Sequence, residues 1–82
     1  MSIYTQAPLA AECEQWNGYE DNAKIARLLS RPELADDRYI PVIRRGDGIP
    51  PYVLTEGYWV CLYETGDIVI FSPNAFAAVF GE

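Results

Sequence analysis

Eighty-two residues are one domain's worth of chain, and half of them are hydrophobic and 13% aromatic, enough to build a core and to exclude general disorder. Six Lys and Arg against twelve Asp and Glu give a net charge of −6. That excludes a groove that tracks nucleic-acid phosphates, which needs clustered cations. No histidine is present, so the usual general base and the commonest metal ligand are both missing.

The opening residues, Met1 to Gln6, carry neither a basic start nor a long apolar run, and so predict no secretory leader. No apolar stretch approaches the roughly 18 residues of a membrane span. The expected setting is a cytoplasm, with no membrane partner. Leu9 to Trp16 alternates, with Ala11, Cys13 and Gln15 opposite Glu12, Glu14 and Trp16, and predicts a strand. Asn17-Gly18 turns the chain.

The main helix follows. Glu20 or Asp21 stands at its start, Ile25, Leu28 and Leu29 recur at helical spacing, and Lys24, Arg27 and Arg31 lie toward the other side. Ser30-Arg31-Pro32 ends it, because the residue before proline avoids the helical region. Residues 33–38 predict a polar connection. Tyr39 to Arg45 predicts an edge or broken strand, with Ile40, Val42 and Arg44 on one face and Tyr39, Pro41, Ile43 and Arg45 on the other. Gly46 to Pro51 is a loop.

Three short strands are expected next, at 52–55, 58–63 and 67–71. The last two flank Glu64-Thr65-Gly66, a three-residue hairpin loop with glycine in the left-handed place. Ser72-Pro73 is a helix cap followed by proline in the first turn. Asn74 to Phe80 then gives two turns, with Phe76 and Phe80 on one face. The fold class is α+β: a single domain over 1–82 with a small, mostly antiparallel sheet packed against one main helix, and a short C-terminal helix.

Catalytic equipment is absent from this pattern. Ser2, Ser30 and Ser72 stand at a terminus, a helix end and a cap, and Cys13 and Cys61 have no histidine to activate them. The acid pairs Glu12/Glu14 and Asp36/Asp37 match exposed acids better than a cation site, and Gly46-Asp47-Gly48 is a turn. No catalytic residue, cofactor or metal is expected. The two cysteines stand either as buried free thiols or as a pair.

Charge is unevenly placed. All six bases fall within Lys24 to Arg45, while residues 46–82 hold five acids and no base. Either Arg44 and Arg45 face acids on neighbouring strands, or the acidic C-terminal half offers a face to a basic partner. Aromatics crowd the same half. Tyr58, Val60 and Leu62 share one strand face; Trp59, Cys61 and Tyr63 share the other. The second face is covered by the C-terminal helix or is an interaction patch. The expected partner-binding residues are Glu56, Tyr58, Trp59, Tyr63, Glu64 and Asp67, with the basic 24–45 segment as the rival surface.

Glu56-Gly57-Tyr58-Trp59-Val60, Gly66-Asp67-Ile68, Ser72-Pro73-Asn74-Ala75-Phe76 and Ala78-Val79-Phe80 resemble the C-terminal signature of small tailed-phage and prophage proteins. Ala11 to Gly18, followed by Asp21-Asn22 and a helix, is similar to that group's opening. Tyr58 stands where the group usually has Asp. The resemblance implies a phage-encoded α+β protein and carries over no catalytic residue. The expected function is a non-enzymatic inhibitor that binds and blocks a host protein or complex in the host cytoplasm. Host takeover and counter-defence, including anti-CRISPR action, are its settings, with an acidic face imitating nucleic acid. The alternative is a structural or accessory virion component that self-assembles. The chain is expected as a monomer or small homo-oligomer.

Overall fold

The computed structural model describes residues 2–6 and 9–81, with side-chain detail from Ala10 onward. Met1, Ala7, Pro8 and Glu82 lie outside the described residues. Six strands and two helices form in the order β1 Ser2–Gln6, β2 Leu9–Gln15, α1 Asn22–Leu29, β3 Val42–Ile43, β4 Tyr52–Val53, β5 Trp59–Tyr63, β6 Ile68–Phe71 and α2 Pro73–Phe80. Short 3-10 turns at Tyr19–Asp21 and Pro32–Ala35 flank α1. The α+β class, with an antiparallel sheet, a main helix and a short C-terminal helix, is what the structure shows.

Two features differ from the expectation. Ser2–Gln6 pairs with β2 as an additional strand, although its mixed side chains carry no alternation. The strands expected at 39–45 and 52–55 do not join the main sheet. They shrink to a two-residue ribbon, Val42↔Val53 and Ile43↔Tyr52, separate from the antiparallel sheet β1-β2-β5-β6. Pro41, with no N–H to offer a ladder, stands just before β3, and the Gly46–Pro51 loop diverts the chain after it.

Both faces of the sheet are covered, as the two-sided apolar pattern of β5 requires. On one face Val60 is fully buried with Trp16, Ile25, Leu28, Ile43 and Leu54, and Leu62, Ile68 and Ile70 pack beside them under α1 and the ribbon. On the other, Ala11, Cys13, Cys61 and Tyr63 pack against Phe76 of α2, with Trp59, Val69, Phe71 and Phe80 alongside. Phe76 stacks flat on Trp59 at 3.8 Å between ring centres, and Phe80 meets Phe71 edge-on at 5.8 Å. The edge-on contact is the T-shaped arrangement that aromatic quadrupoles favour, while the flat stack seals the two rings against each other.

Local chemistry sets the element ends. Ser72 Oγ accepts from the Ala75 N–H at 3.2 Å, and Pro73 fills the first turn of α2. Gly66, at φ 92°, closes the β5–β6 hairpin with its N–H on the Tyr63 carbonyl at 2.8 Å. α1 ends on Ser30 in the left-handed conformation, φ 55°, and the Arg31 N–H reaches back to the Ala26 carbonyl at 2.9 Å.

Asn22 ties these layers together. It is wholly buried, and its Oδ1 accepts from Trp16 Nε1 at 2.7 Å. Its Nδ2 donates to the carbonyls of Asp36 and Tyr39, both at 2.9 Å. One side chain thus joins the end of β2, the start of α1 and the turn that launches the ribbon. Among the described residues no helix is long and apolar enough to cross a membrane.

Candidate functional site

The expected partner-binding residues do not form one surface. Tyr58 lies on the α1 side of the sheet, with its ring 6.1 Å from that of Tyr52. Trp59 and Tyr63 lie on the α2 side; Tyr63 is buried and Trp59 is half-buried beneath Phe76. Burial pushes the Tyr63 hydroxyl above its ordinary pKa, as it does for Tyr52. Glu64 and Asp67 sit exposed at the β5–β6 hairpin, where Asp67 Oδ2 accepts from Thr65 Oγ1 at 2.9 Å. Glu56 is exposed in the turn at the other end of β5. The strand between them spans roughly 14 Å, so Glu56 lies at the opposite end of β5 from Glu64 and Asp67.

Among the described residues no cation pairs with Glu56, Glu64 or Asp67. Arg44 and Arg45 make no ion pair with carboxylates of neighbouring strands, because β3 leaves the main sheet. The basic segment's contacts with carboxylates are local ones, Lys24–Asp21 at 3.3 Å and Arg38–Asp36 at 2.8 Å. Asp36 accepts from both the main chain and the guanidinium of Arg38, and this holds its carboxyl down to about 2. Arg27, Arg31, Arg44 and Arg45 meet no carboxylate within 4 Å among the described residues. Arg31 Nη1 donates to the Arg44 carbonyl at 2.8 Å, fixing the Arg31 guanidinium against the main chain just beyond β3. Arg45 lies over the Tyr52 ring at 5.8 Å, with its buried Nε unpartnered among the described residues.

Apart from Tyr19, the exposed large hydrophobic side chains among the described residues lie on the ribbon or in the segments flanking it. Pro41, Ile43 and Leu54 point inward, while Ile40, Val42 and Arg44 point out. The cross-strand partners Val42 and Val53 are 41% and 57% exposed, and Ile40, Ile49 and Tyr39 beside them are 41%, 47% and 64% exposed. An open depression of about 470 Å³ is lined by Ile49 together with Arg31, Arg44 and Asp47, and a second, of about 150 Å³, by Tyr39, Ile40 and Val42 together with Glu33 and Asp36. Branched side chains paired in water and bordered by charged groups of both signs are the composition of an interface core with a polar rim.

Sequence reasoning placed Ile40, Val42 and Arg44 on one face but took that face for part of the main sheet. The alternation was visible. Its exposure was not, because exposure depends on which sheet the strand joins.

Chemistry is sparse elsewhere. No cluster of three metal-ligating side chains occurs among the described residues. Cys13 and Cys61 face each other across β2 and β5 as free, wholly buried thiols. Contact with Cys13, and then burial, push the Cys61 thiol far up. A third depression, about 450 Å³, opens beside Glu12, Tyr63 and Glu64 at the hairpin end. Compared with family models, curated proteins and solved structures, the chain matches none of them.

Proposed function

We propose that this chain is a non-enzymatic phage protein that binds and blocks a host protein, as a takeover or counter-defence inhibitor, and that it docks through the β3–β4 ribbon. The supporting observation is the exposed Val42–Val53 pair with Ile40, Ile49 and Tyr39 in the flanking segments, and with Arg31 and Arg44, which meet no carboxylate within 4 Å among the described residues, lining the depression beside Ile49. Both faces of the main sheet are occupied by the protein's own helices and ribbon. Using Trp59 or Tyr63 as anchors would mean detaching α2, whereas the ribbon is presented already folded. Rigid presentation lowers the ordering cost of association.

The complementary partner has an apolar patch opposite Val42 and Val53 and an acid placed to meet Arg31 and Arg44. A nucleic-acid-imitating face has less support, because β5 holds Glu56 apart from Glu64 and Asp67. The test is capture of host protein on immobilised wild-type chain, repeated with V42D/V53D and with E64K/D67K. The ribbon variant should lose the captured protein while the hairpin variant keeps it. Retention by V42D/V53D together with loss by E64K/D67K would overturn the ribbon as the docking surface.

A further inference from the structure

Cys13 and Cys61 are nucleophilic side chains that docking through the ribbon leaves unused. Both are wholly buried on the α2 side of the sheet, beside Ala11, Tyr63 and Phe76. They stand directly opposite each other in the β2–β5 register. The ladder bonds show which kind of pair they form. The Trp16 N–H donates to the Tyr58 carbonyl at 2.9 Å, and the Glu64 N–H donates to the Ala10 carbonyl at 3.3 Å. Both bonds fall on the same register, and hydrogen-bonded pairs recur at every second residue. Cys13↔Cys61 is therefore a non-hydrogen-bonded pair.

A pair of that kind brings opposed Cα atoms to about 4.5 Å, with the side chains close together on one face. A disulfide spans Cα separations of about 4.4–6.8 Å, so the register supplies the span without moving either strand. The two thiols already touch. A shared metal is a poorer account of the pair, because no histidine exists in the chain and no third ligand joins the cysteines among the described residues.

We propose that Cys13 and Cys61 are a disulfide site, which an oxidising small-molecule disulfide such as oxidised glutathione closes into a covalent staple between β2 and β5. One cysteine thiolate attacks a sulfur of oxidised glutathione; that S–S bond breaks and a glutathione thiolate leaves. The second cysteine thiolate attacks the protein sulfur of the mixed disulfide and expels the other glutathione. The protein gives up two electrons and two protons, and two glutathione thiols take them up. In the closed fold, contact with Cys13 and then burial hold Cys61 in its thiol form, and a thiol is a poor nucleophile. The exchange therefore runs as the chain folds, before α2 seals the pair.

The staple closes a loop of about 50 residues that contains α1 and the ribbon, and it removes that loop's freedom from the unfolded chain. A reducing setting keeps two thiols, and an oxidising one closes the bond. The site lies under α2, across the sheet from the ribbon, so it stands or falls apart from the docking reading.

The test is refolding of the full chain from urea at about pH 8, with reduced glutathione alone or with a mixture of its oxidised and reduced forms. From the mixture, mass spectrometry should find a single chain lighter by two hydrogen atoms, with the Cys13 and Cys61 peptides joined. Its circular dichroism spectrum should match that of the reduced chain, and its melting temperature should be higher by about 10 °C or more. Cys13→Ser and Cys61→Ser should each melt alike from both refolding mixtures. Should a serine variant fail to fold, the two wild-type samples alone still decide. Wild-type cysteines that end as free thiols or capped by glutathione, a bond between two chains, or an internal bond that lowers the melting temperature would each overturn the proposal.

Discussion

Asn22 and the cysteine pair show how single side chains hold this small domain together. Asn22 supplies one acceptor and two donors at a site without water access, and all three are used. Asn22→Ala removes them at once and strands the Trp16 indole N–H and two carbonyls. Each buried group left unpaired costs about 1–3 kcal/mol, so a loss of about 3 kcal/mol or more is expected in a urea titration. Asn22→Asp keeps the acceptor but turns both donors into an oxygen facing carbonyls, and it should be no more stable.

Cys13 and Cys61 are visible in the sequence only as two distant residues; the register makes them neighbours. Neither thiol should react with a thiol reagent in the native state, while both should react in denaturant. The raised positions of Cys61, Tyr52 and Tyr63 all mean that the folded state favours the protonated form. For such acids the stability they contribute is fully present below the unfolded pKa and is lost as pH rises toward the folded one. The unfolded values are about 8.5 for Cys and about 10 for Tyr, so the melting temperature should begin to fall above about pH 8.5 and fall faster beyond about pH 10. A melting temperature unchanged up to about pH 10.5 would contradict this.

Among the elements, α2 carries a whole face of the sheet on two rings. Phe76 is 2% exposed and stacks on Trp59, so Phe76→Ala should cost about 3–5 kcal/mol. Ser72→Ala, which removes only the cap, should cost about 1 kcal/mol. The two variants, compared by chemical denaturation, separate packing from capping. At the end of α1, Ser30 holds a left-handed conformation that costs an ordinary residue about 1–2 kcal/mol. Ser30→Gly should therefore stabilise the protein by up to about 1 kcal/mol.

Much at this scale was legible because it rests on short-range chemistry. Gly66 after Glu64-Thr65 announces its hairpin, Ser72-Pro73 its helix, and the two apolar faces of β5 the two layers that cover them. β1 was not legible, because Ser2–Gln6 gains its structure from pairing with β2 and from no pattern of its own. The ribbon was legible as alternation and not as a separate sheet. Strand residues state which side chains share a face, but the partner that covers that face is a tertiary fact. The aromatic residues of 58–63 were recognised for the same reason as interface candidates, when most of their area is spent inside the protein.

At the scale of the molecule, the layers explain where contact with another protein is available. The sheet is covered on both faces, Glu56 stands at one end of β5 and Glu64 and Asp67 at the other, and Arg31 and Arg44 line a depression beside the ribbon. A docking surface that engages these two cations predicts that association slows as salt is raised, since exposed charges are screened over a Debye length of about 10 Å at 0.1 M. Arg31→Glu with Arg44→Glu should slow association and remove most of that salt dependence; because Arg31→Glu also removes the 2.8 Å hydrogen bond to the Arg44 carbonyl, the melting temperature should fall slightly, whereas Arg44→Glu alone should leave it nearly unchanged. Val42→Asp with Val53→Asp should instead speed dissociation. The most direct measurement is amide hydrogen–deuterium exchange of the chain with and without its captured host partner. Protection concentrated on residues 39–53 is the predicted footprint; protection confined to residues 56–67, with the ribbon exchanging as in the free chain, would contradict the account.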